Sequence, residues 1–208
     1  MKNRFFIGYY NLANLVTLMG LCCALLACFL LAQGKVAISM MAFACAGLCD
    51  MMDGRIARAS GATGKRVRFY GVQLDSLCDV VSFGMVPCFM AFYLHYDGIL
   101  DILIYLLFVV CGATRLANFN TEVAIDSPNL RSSHFTGVPI PFSVVVLPLL
   151  VIIHQLAGPV AWLFRLAFLL TGIGYVLRIR IPKPSGRAQV AIILYELVVL
   201  ITLLFLPQ

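Results

Sequence analysis

Charge is scarce in this chain. Asp, Glu, Lys and Arg make up 12% of its 208 residues, while 62% are hydrophobic. A water-soluble domain carries roughly 25% charged residues, and one of this size could not bury so much apolar surface in its own core. The deficit excludes an ordinary soluble globular domain and points to a bilayer as solvent. Histidine is rarer still, with 3 in the chain, and none stands beside a cysteine. The 8 cysteines, at 22, 23, 28, 45, 49, 78, 88 and 111, include no Cys-x-x-Cys pair, which excludes the common zinc frameworks. All lie in apolar stretches and read as small packing residues rather than disulfide partners. No repeat or low-complexity tract interrupts the chain, so 1–208 reads as a single domain.

What is present is a series of apolar runs. Seven are long enough, or nearly so, to span a membrane: 9–32, 36–57, 71–94, 99–118, 139–156, 160–177 and 188–206. The expected fold is all-α, a polytopic membrane bundle of six core helices plus one more. The fifth and sixth runs are separated only by Ala157, Gly158 and Pro159 and could form one tilted or re-entrant feature. The first run is too long for a cleavable signal and is followed at once by a second. Polar stretches at 59–70 and 118–137 read as connecting loops.

The cations set an orientation. With seven spans and a cytoplasmic N-terminus, Lys2, Arg4, Arg55, Arg58, Lys65, Arg66, Arg68, Arg115, Arg131, Arg178, Arg180, Lys183 and Arg187 all fall on the cytoplasmic side. Only Lys35 and Arg165 are left for the other side or the interior, as the positive-inside rule requires. Phe5, Phe6, Tyr9 and Tyr10 then read as an interfacial anchor. The net charge of +6 belongs to a membrane surface, with anionic lipid headgroups as its partners and no role in nucleic-acid binding.

The acidic residues are few, 9 in all, and four of them fall within neighbouring apolar runs. Asp50 and Asp53 are three apart, and Asp75 and Asp79 four apart, so each pair shares one helix face. A charge at mid-membrane depth costs roughly 2.5–3.5 kcal/mol; nearer an interface the cost falls, but four carboxylates still need compensation. Two consecutive antiparallel helices can bring all four together. Hard divalent cations would relieve their repulsion, and four carboxylates can hold two ions, an arrangement that activates phosphoryl centres. Gly54 and Gly71 lie on the acidic faces and leave room for a bulky group, with Ala57 continuing the smooth surface and Arg58 offering a guanidinium suited to phosphate. A lone aspartate at a helix end would be a cap, and small residues alone would mean helix packing.

The run Asp50, Asp53, Gly54, Ala57, Arg58, followed by Gly71, Asp75 and Asp79, resembles the signature of the CDP-alcohol phosphotransferases, D-x-x-D-G-x-x-A-R, a spacer, then G-x-x-x-D-x-x-x-D. Every signature residue is present, although the spacer at 59–70 is longer than usual, a change that loop closure tolerates cheaply. Asn14 to Thr17 is similar to the family's first-helix Pro-Asn-x-x-Thr element, with Ala13 in place of proline. Ser82, Phe83, Gly84 and Pro87, the run from Arg115 to Asn120, and Phe135, Gly137, Pro139 and Pro141 resemble the phosphatidylserine synthase branch. That branch commonly has Arg where Asn118 stands and Asn where Gly20 stands.

The resemblance implies an enzyme of phospholipid biosynthesis that transfers a phosphatidyl group from CDP-diacylglycerol to L-serine and releases CMP. It implies Asp50, Asp53, Asp75 and Asp79 as ligands of Mg²⁺ or Mn²⁺ (Ca²⁺ being the third choice), two ions in all, with Asp79 also the general base. Asn14, Thr17, Gly54, Ala57, Arg58 and Gly71 are the expected nucleotide side. Ser82, Arg115, Asn118 and Asn120 are the candidates for the acceptor, Arg115 for its carboxylate. A homodimer in the cell membrane with its active site toward the cytoplasm is expected. Glycerol 3-phosphate or inositol phosphate is the alternative acceptor, and a cation transporter the alternative outside the class. His95, Arg131, His134 and His154 are expected to stand apart from the chemistry. Glu196, mid-run in the last helix, is left with Arg165 or a dimer neighbour as its possible contact.

Overall fold

The computed structural model describes residues 7–60, 64–125, 134–182 and 186–205. Helices form along the apolar runs because, in lipid, each backbone N–H and C=O must bond within its own segment. α1 (Leu12–Ala32) opens at Asn11, whose side chain accepts from the Asn14 N–H at 2.8 Å, a polar N-cap that satisfies one orphan donor. α2 (Val36–Ala59) returns along it. The two approach closely: a Cβ on Gly20 would stand 3.0 Å from Cys49 Cβ, and Ser39 Oγ donates to the Ala27 carbonyl at 2.7 Å. Small residues and a buried hydroxyl bond are what hold helices together where lipid removes the hydrophobic drive.

α3 (Lys65–Asp79), a π-helical segment (Val80–Met85) and α4 (Val86–Tyr93) run on as one rod. Pro87 cannot donate a backbone hydrogen bond, and the widened turns just before it absorb that defect directly after Asp79. Such π turns inside α-helices frequently mark functional sites. α5 (Ile99–Ile125) follows, then a 3₁₀ turn (Ile140–Phe142), α6 (Ser143–Ala157), α7 (Ala161–Val176) and α8 (Gly186–Phe205). Gly158, at φ +78°, and Pro159 separate α6 from α7, so the fifth and sixth runs are two helices and not one feature. α7 packs chiefly on α5, where Phe168 meets Tyr105 and Phe108 at ring separations of 5.1 and 5.0 Å. α8 lies against α2 and α6.

Five of these rods are long and apolar enough to cross a membrane, namely Leu12–Ala32, Val36–Ala59, Lys65–Tyr93, Ile99–Ile125 and Ile140–Ala157, and Ala161–Val176 and Val190–Phe205 are shorter apolar helices. The chain is a helical membrane protein. Apolar side chains such as Phe29, Leu106 and Trp162 cover its outside, where acyl chains would solvate them. Two departures from the expected layout concern the connections. α5 continues to Ile125 and α3 begins at Lys65, so 65–70 and 118–125 are helix. Hydropathy marks the bilayer edge, and a helix with polar residues runs past it. The second is a short antiparallel ribbon, β1 (His134–Thr136) with β2 (Arg180–Pro182), His134 opposite Pro182, added to an otherwise helical fold. Lys2, Arg4, Phe5, Phe6, Arg131 and Lys183 lie outside the described residues, as do the side chains of His134, Phe135, Arg180 and Arg187.

At the end of the bundle away from the aspartates, Arg165 forms a bidentate pair with the buried Asp101, Nε to Oδ1 at 2.8 Å and Nη2 to Oδ2 at 2.9 Å. This corrects the expected contact between Arg165 and Glu196. Glu196 is buried against the bundle, and neither of its carboxylate oxygens has a hydrogen-bond partner among the described residues. His154, at the same end as Asp101, shares a 2.7 Å hydrogen bond with the Tyr96 hydroxyl.

Candidate active site

α2 and α3 carry two carboxylates each, spaced for one face. Their arrangement in space is selective. One oxygen from each of Asp50, Asp75 and Asp79 lies within 4.8 Å of the others. Asp79 is buried, and Asp50 and Asp75 are half-buried. Asp53, also buried, is held separately: Thr17 Oγ1 donates to its Oδ2 at 2.6 Å. α1 thus supplies the support for the second carboxylate of α2.

α3 is braced from its other side by α5. Ser76 Oγ donates to Asn120 Oδ1 at 2.9 Å, and Asn120 Nδ2 donates to Gln73 Oε1 at 3.3 Å. Ser76 and Gln73 flank Asp75 in sequence, so these bonds fix the rotation of the helix that presents Asp75 and Asp79. Gln73 and Ser76 are absent from the sequence-derived site. Their only sequence signal is a polar type next to an aspartate in an apolar run.

The remaining expected residues fall into distinct places. Asn14 is buried, donates to the Tyr9 carbonyl at 2.6 Å, and abuts Gly71, where a Cβ would stand 3.2 Å from Asn14 Oδ1. Gly71 therefore lets α1 and α3 meet. Arg58 folds back over Gly54, with its Nη1 3.4 Å from a Cβ built there, and Ala57 and Arg58 are exposed at the end of α2. Ser82 is buried one turn past Asp79, and its hydroxyl has no partner among the described residues. Arg115 is half-buried, its Nε has no partner among the described residues, and it lies within electrostatic reach of Asp79. Asn118 is exposed and donates to Glu122 at 2.9 Å on its own helix. Asn120 is the brace just described.

Residues 10–179 match the family model for CDP-alcohol phosphatidyltransferase. The chain belongs to that family. It is 32% identical over 180 residues to a CDP-diacylglycerol–serine O-phosphatidyltransferase of Helicobacter pylori, an alignment covering 84% of this chain and 73% of the relative. It is 42% identical over 99 residues to the Saccharomyces cerevisiae protein of the same name, covering 46% of this chain and 34% of that one. A Methanothermobacter thermautotrophicus archaetidylserine synthase is 28% identical over 148 residues, covering 71% and 60%.

CDP-alcohol phosphatidyltransferases are metal-dependent, and the residues present fit that requirement. The clustered donors are all carboxylate oxygens from two rigid helices, the set preferred by hard divalent cations. Cys49 and Cys78 stand close to the aspartates in sequence, yet the tight cluster among the described residues contains no thiol, so the donor set is hard rather than soft.

Proposed function

We propose that this enzyme transfers the phosphatidyl group of CDP-diacylglycerol to L-serine. The observation that carries the reading is the meeting of Asp50, Asp75 and Asp79 oxygens from two helices within 4.8 Å, in a chain related to enzymes named for this reaction.

In the reaction, the serine hydroxyl oxygen forms a bond to the phosphatidyl phosphorus, the bond from that phosphorus to CMP breaks, and CMP leaves with the bonding pair. Asp50, Asp75 and Asp79 would hold one Mg²⁺ or Mn²⁺, with Asp53 contributing to a second. Such ions supply positive charge that neutralises the pyrophosphate and stabilises the leaving group. Asp79 accepts the hydroxyl proton as general base. Thr17 keeps Asp53 oriented, and Gln73, Ser76 and Asn120 keep α3 turned so that Asp75 and Asp79 face α2. Asn14, Gly54, Ala57, Arg58 and Gly71 form the nucleotide side, with Arg58 at the α2 end toward phosphate. Arg115 takes the acceptor carboxylate.

The cation distribution supports a cytoplasmic N-terminus, seven crossings and a cytoplasmic active site. Anionic lipids at the basic surface and a homodimer complete the reading. Asp50, Asp53, Asp75 and Asp79 gather at one end of the bundle and α2 and α3 are unbroken beside them, which favours an interfacial reaction over a cation pathway. Purified protein with CDP-diacylglycerol, serine and Mn²⁺ or Mg²⁺ should release CMP; CMP release only with glycerol 3-phosphate or another alcohol would overturn serine and keep the class.

A further inference from the structure

Three buried polar atoms on the π segment, α5 and the start of α6 have no partner among the described residues: Ser82 Oγ, Arg115 Nε and Ser143 Oγ. Ser82 and Ser143 are 2% and 3% exposed. Buried polar atoms in folded proteins are almost always satisfied, and an orphaned group asks for a missing partner. The π segment that follows Asp79 packs against both α5 and α6, so the three orphans sit on neighbouring elements and point to a shared partner.

The four elements converge. Ser82 lies in the π segment one turn past Asp79, and that segment packs against the 3₁₀ turn Ile140–Phe142 that leads directly into Ser143. Arg115 of α5 is within electrostatic reach of both Asp79 and Tyr175. The Tyr175 hydroxyl, buried in α7, donates to the Ile140 carbonyl at 3.1 Å and neighbours the Ser143 side chain without a well-formed hydrogen bond to it. Tyr175 thus pins the turn that sets where Ser143 points.

We propose that Ser82 and Ser143, with Arg115, form the pocket that reads the acceptor headgroup, and that Tyr175 is its positioning residue. The inference rests on the amino-acid acceptor of the preceding section and adds which side chains select it. One guanidinium with two neutral hydroxyls matches one carboxylate plus an ammonium or hydroxyl group. It under-supplies positive charge for a phosphate dianion, so a phosphorylated alcohol is the poorer guest.

The test uses the opposite signs that a binding and a structural hydroxyl predict. Removing an unpartnered buried hydroxyl should not weaken the fold. In the full-length detergent-solubilised chain, Ser143→Ala and Ser82→Ala should each raise KM for serine about tenfold, the worth of one lost hydrogen bond. Their KM for CDP-diacylglycerol should stay the same and their melting temperature should hold or rise. Tyr175→Phe should raise serine KM with kcat less affected. Unchanged serine KM in both serine variants overturns the pocket, as does an equal rise in KM for both substrates. A variant that melts lower or fails to fold overturns it too, because its hydroxyl then has a structural partner. A wild-type chain that ignores serine and uses another alcohol instead defeats the acceptor assignment itself, a result read before any variant is made.

Discussion

Thr17 on α1 donates its hydroxyl proton to Asp53 on α2 at 2.6 Å, and this bond reaches across 36 residues to orient a carboxylate that the tight three-aspartate cluster leaves out. An Asp53 free to rotate would lose its bearing on any shared ion, and losing such a supporting contact typically weakens metal affinity about 10–100-fold. Thr17→Val should therefore shift the Mn²⁺ activation curve of CMP release to higher metal by about tenfold, with Thr17→Ser close to wild type. A chelator should abolish turnover and added Mn²⁺ or Mg²⁺ restore it. An unshifted curve in Thr17→Val would make the bond a packing contact only.

Asp79 is buried where α3 gives way to the π segment, next to the pocket proposed for the acceptor. Asp79→Asn keeps the shape and removes the base. Turnover should fall by about 10²–10⁴-fold, the usual worth of general base catalysis, while CMP binding measured by calorimetry persists. If CMP binding disappears as well, Asp79 is chiefly a metal ligand.

The aspartates were legible in the sequence because spacings of three and four repeat with the helix and nothing else in an apolar run explains them. Asn14 and Thr17 were legible through their resemblance to a first-helix element. Gln73, Ser76, Ser143 and Tyr175 were not, because a polar side chain in an apolar run announces no partner until the helices are packed. The Asp101–Arg165 pair spans 64 positions and left no local trace, so Arg165 was open to the wrong partner, Glu196. Helix ends beyond the bilayer edge were missed for a related reason: hydropathy reports the solvent, and backbone bonding continues without it. Asn118 is exposed and bonded to Glu122 on its own helix, a local partner that its sequence neighbours did not announce.

The Asp101–Arg165 pair makes a stability prediction with a definite sign. Arg165 reaches in from a partly exposed position, while Asp101 is buried. Removing the arginine strands a carboxylate, whereas removing both charges leaves only a neutral amide, which costs less to bury. Arg165→Met should lower the melting temperature more than the double variant Asp101→Asn with Arg165→Met, a coupling that the double-mutant cycle isolates. Activity per folded molecule should be unchanged, since the pair lies at the opposite end from Asp79. Additive losses would mean that the two side chains do not act as a pair.

Gly137 is the tightest backbone crossing between the β-ribbon and α7. Its φ is +77°, and a Cβ there would stand 2.6 Å from the Tyr175 carbonyl oxygen and 3.1 Å from that of Leu177. Its N–H donates to the Ile179 carbonyl at 2.8 Å, and the Val138 N–H donates to Gly174 at 3.0 Å. An added methyl meets backbone, which cannot swing aside, in a conformation that costs a non-glycine residue about 1–3 kcal/mol before any clash. Gly137→Ala should lower the melting temperature, and because the displaced strand is the one that leads to Ile140 and Ser143, it should raise serine KM more than CDP-diacylglycerol KM. Exposed Gly34 also has a positive φ, +77°, but a Cβ there meets nothing within 4 Å. Gly34→Ala then carries only the conformational cost, so a Gly137 variant no less stable than the Gly34 one would show that the crossing is looser than its geometry requires.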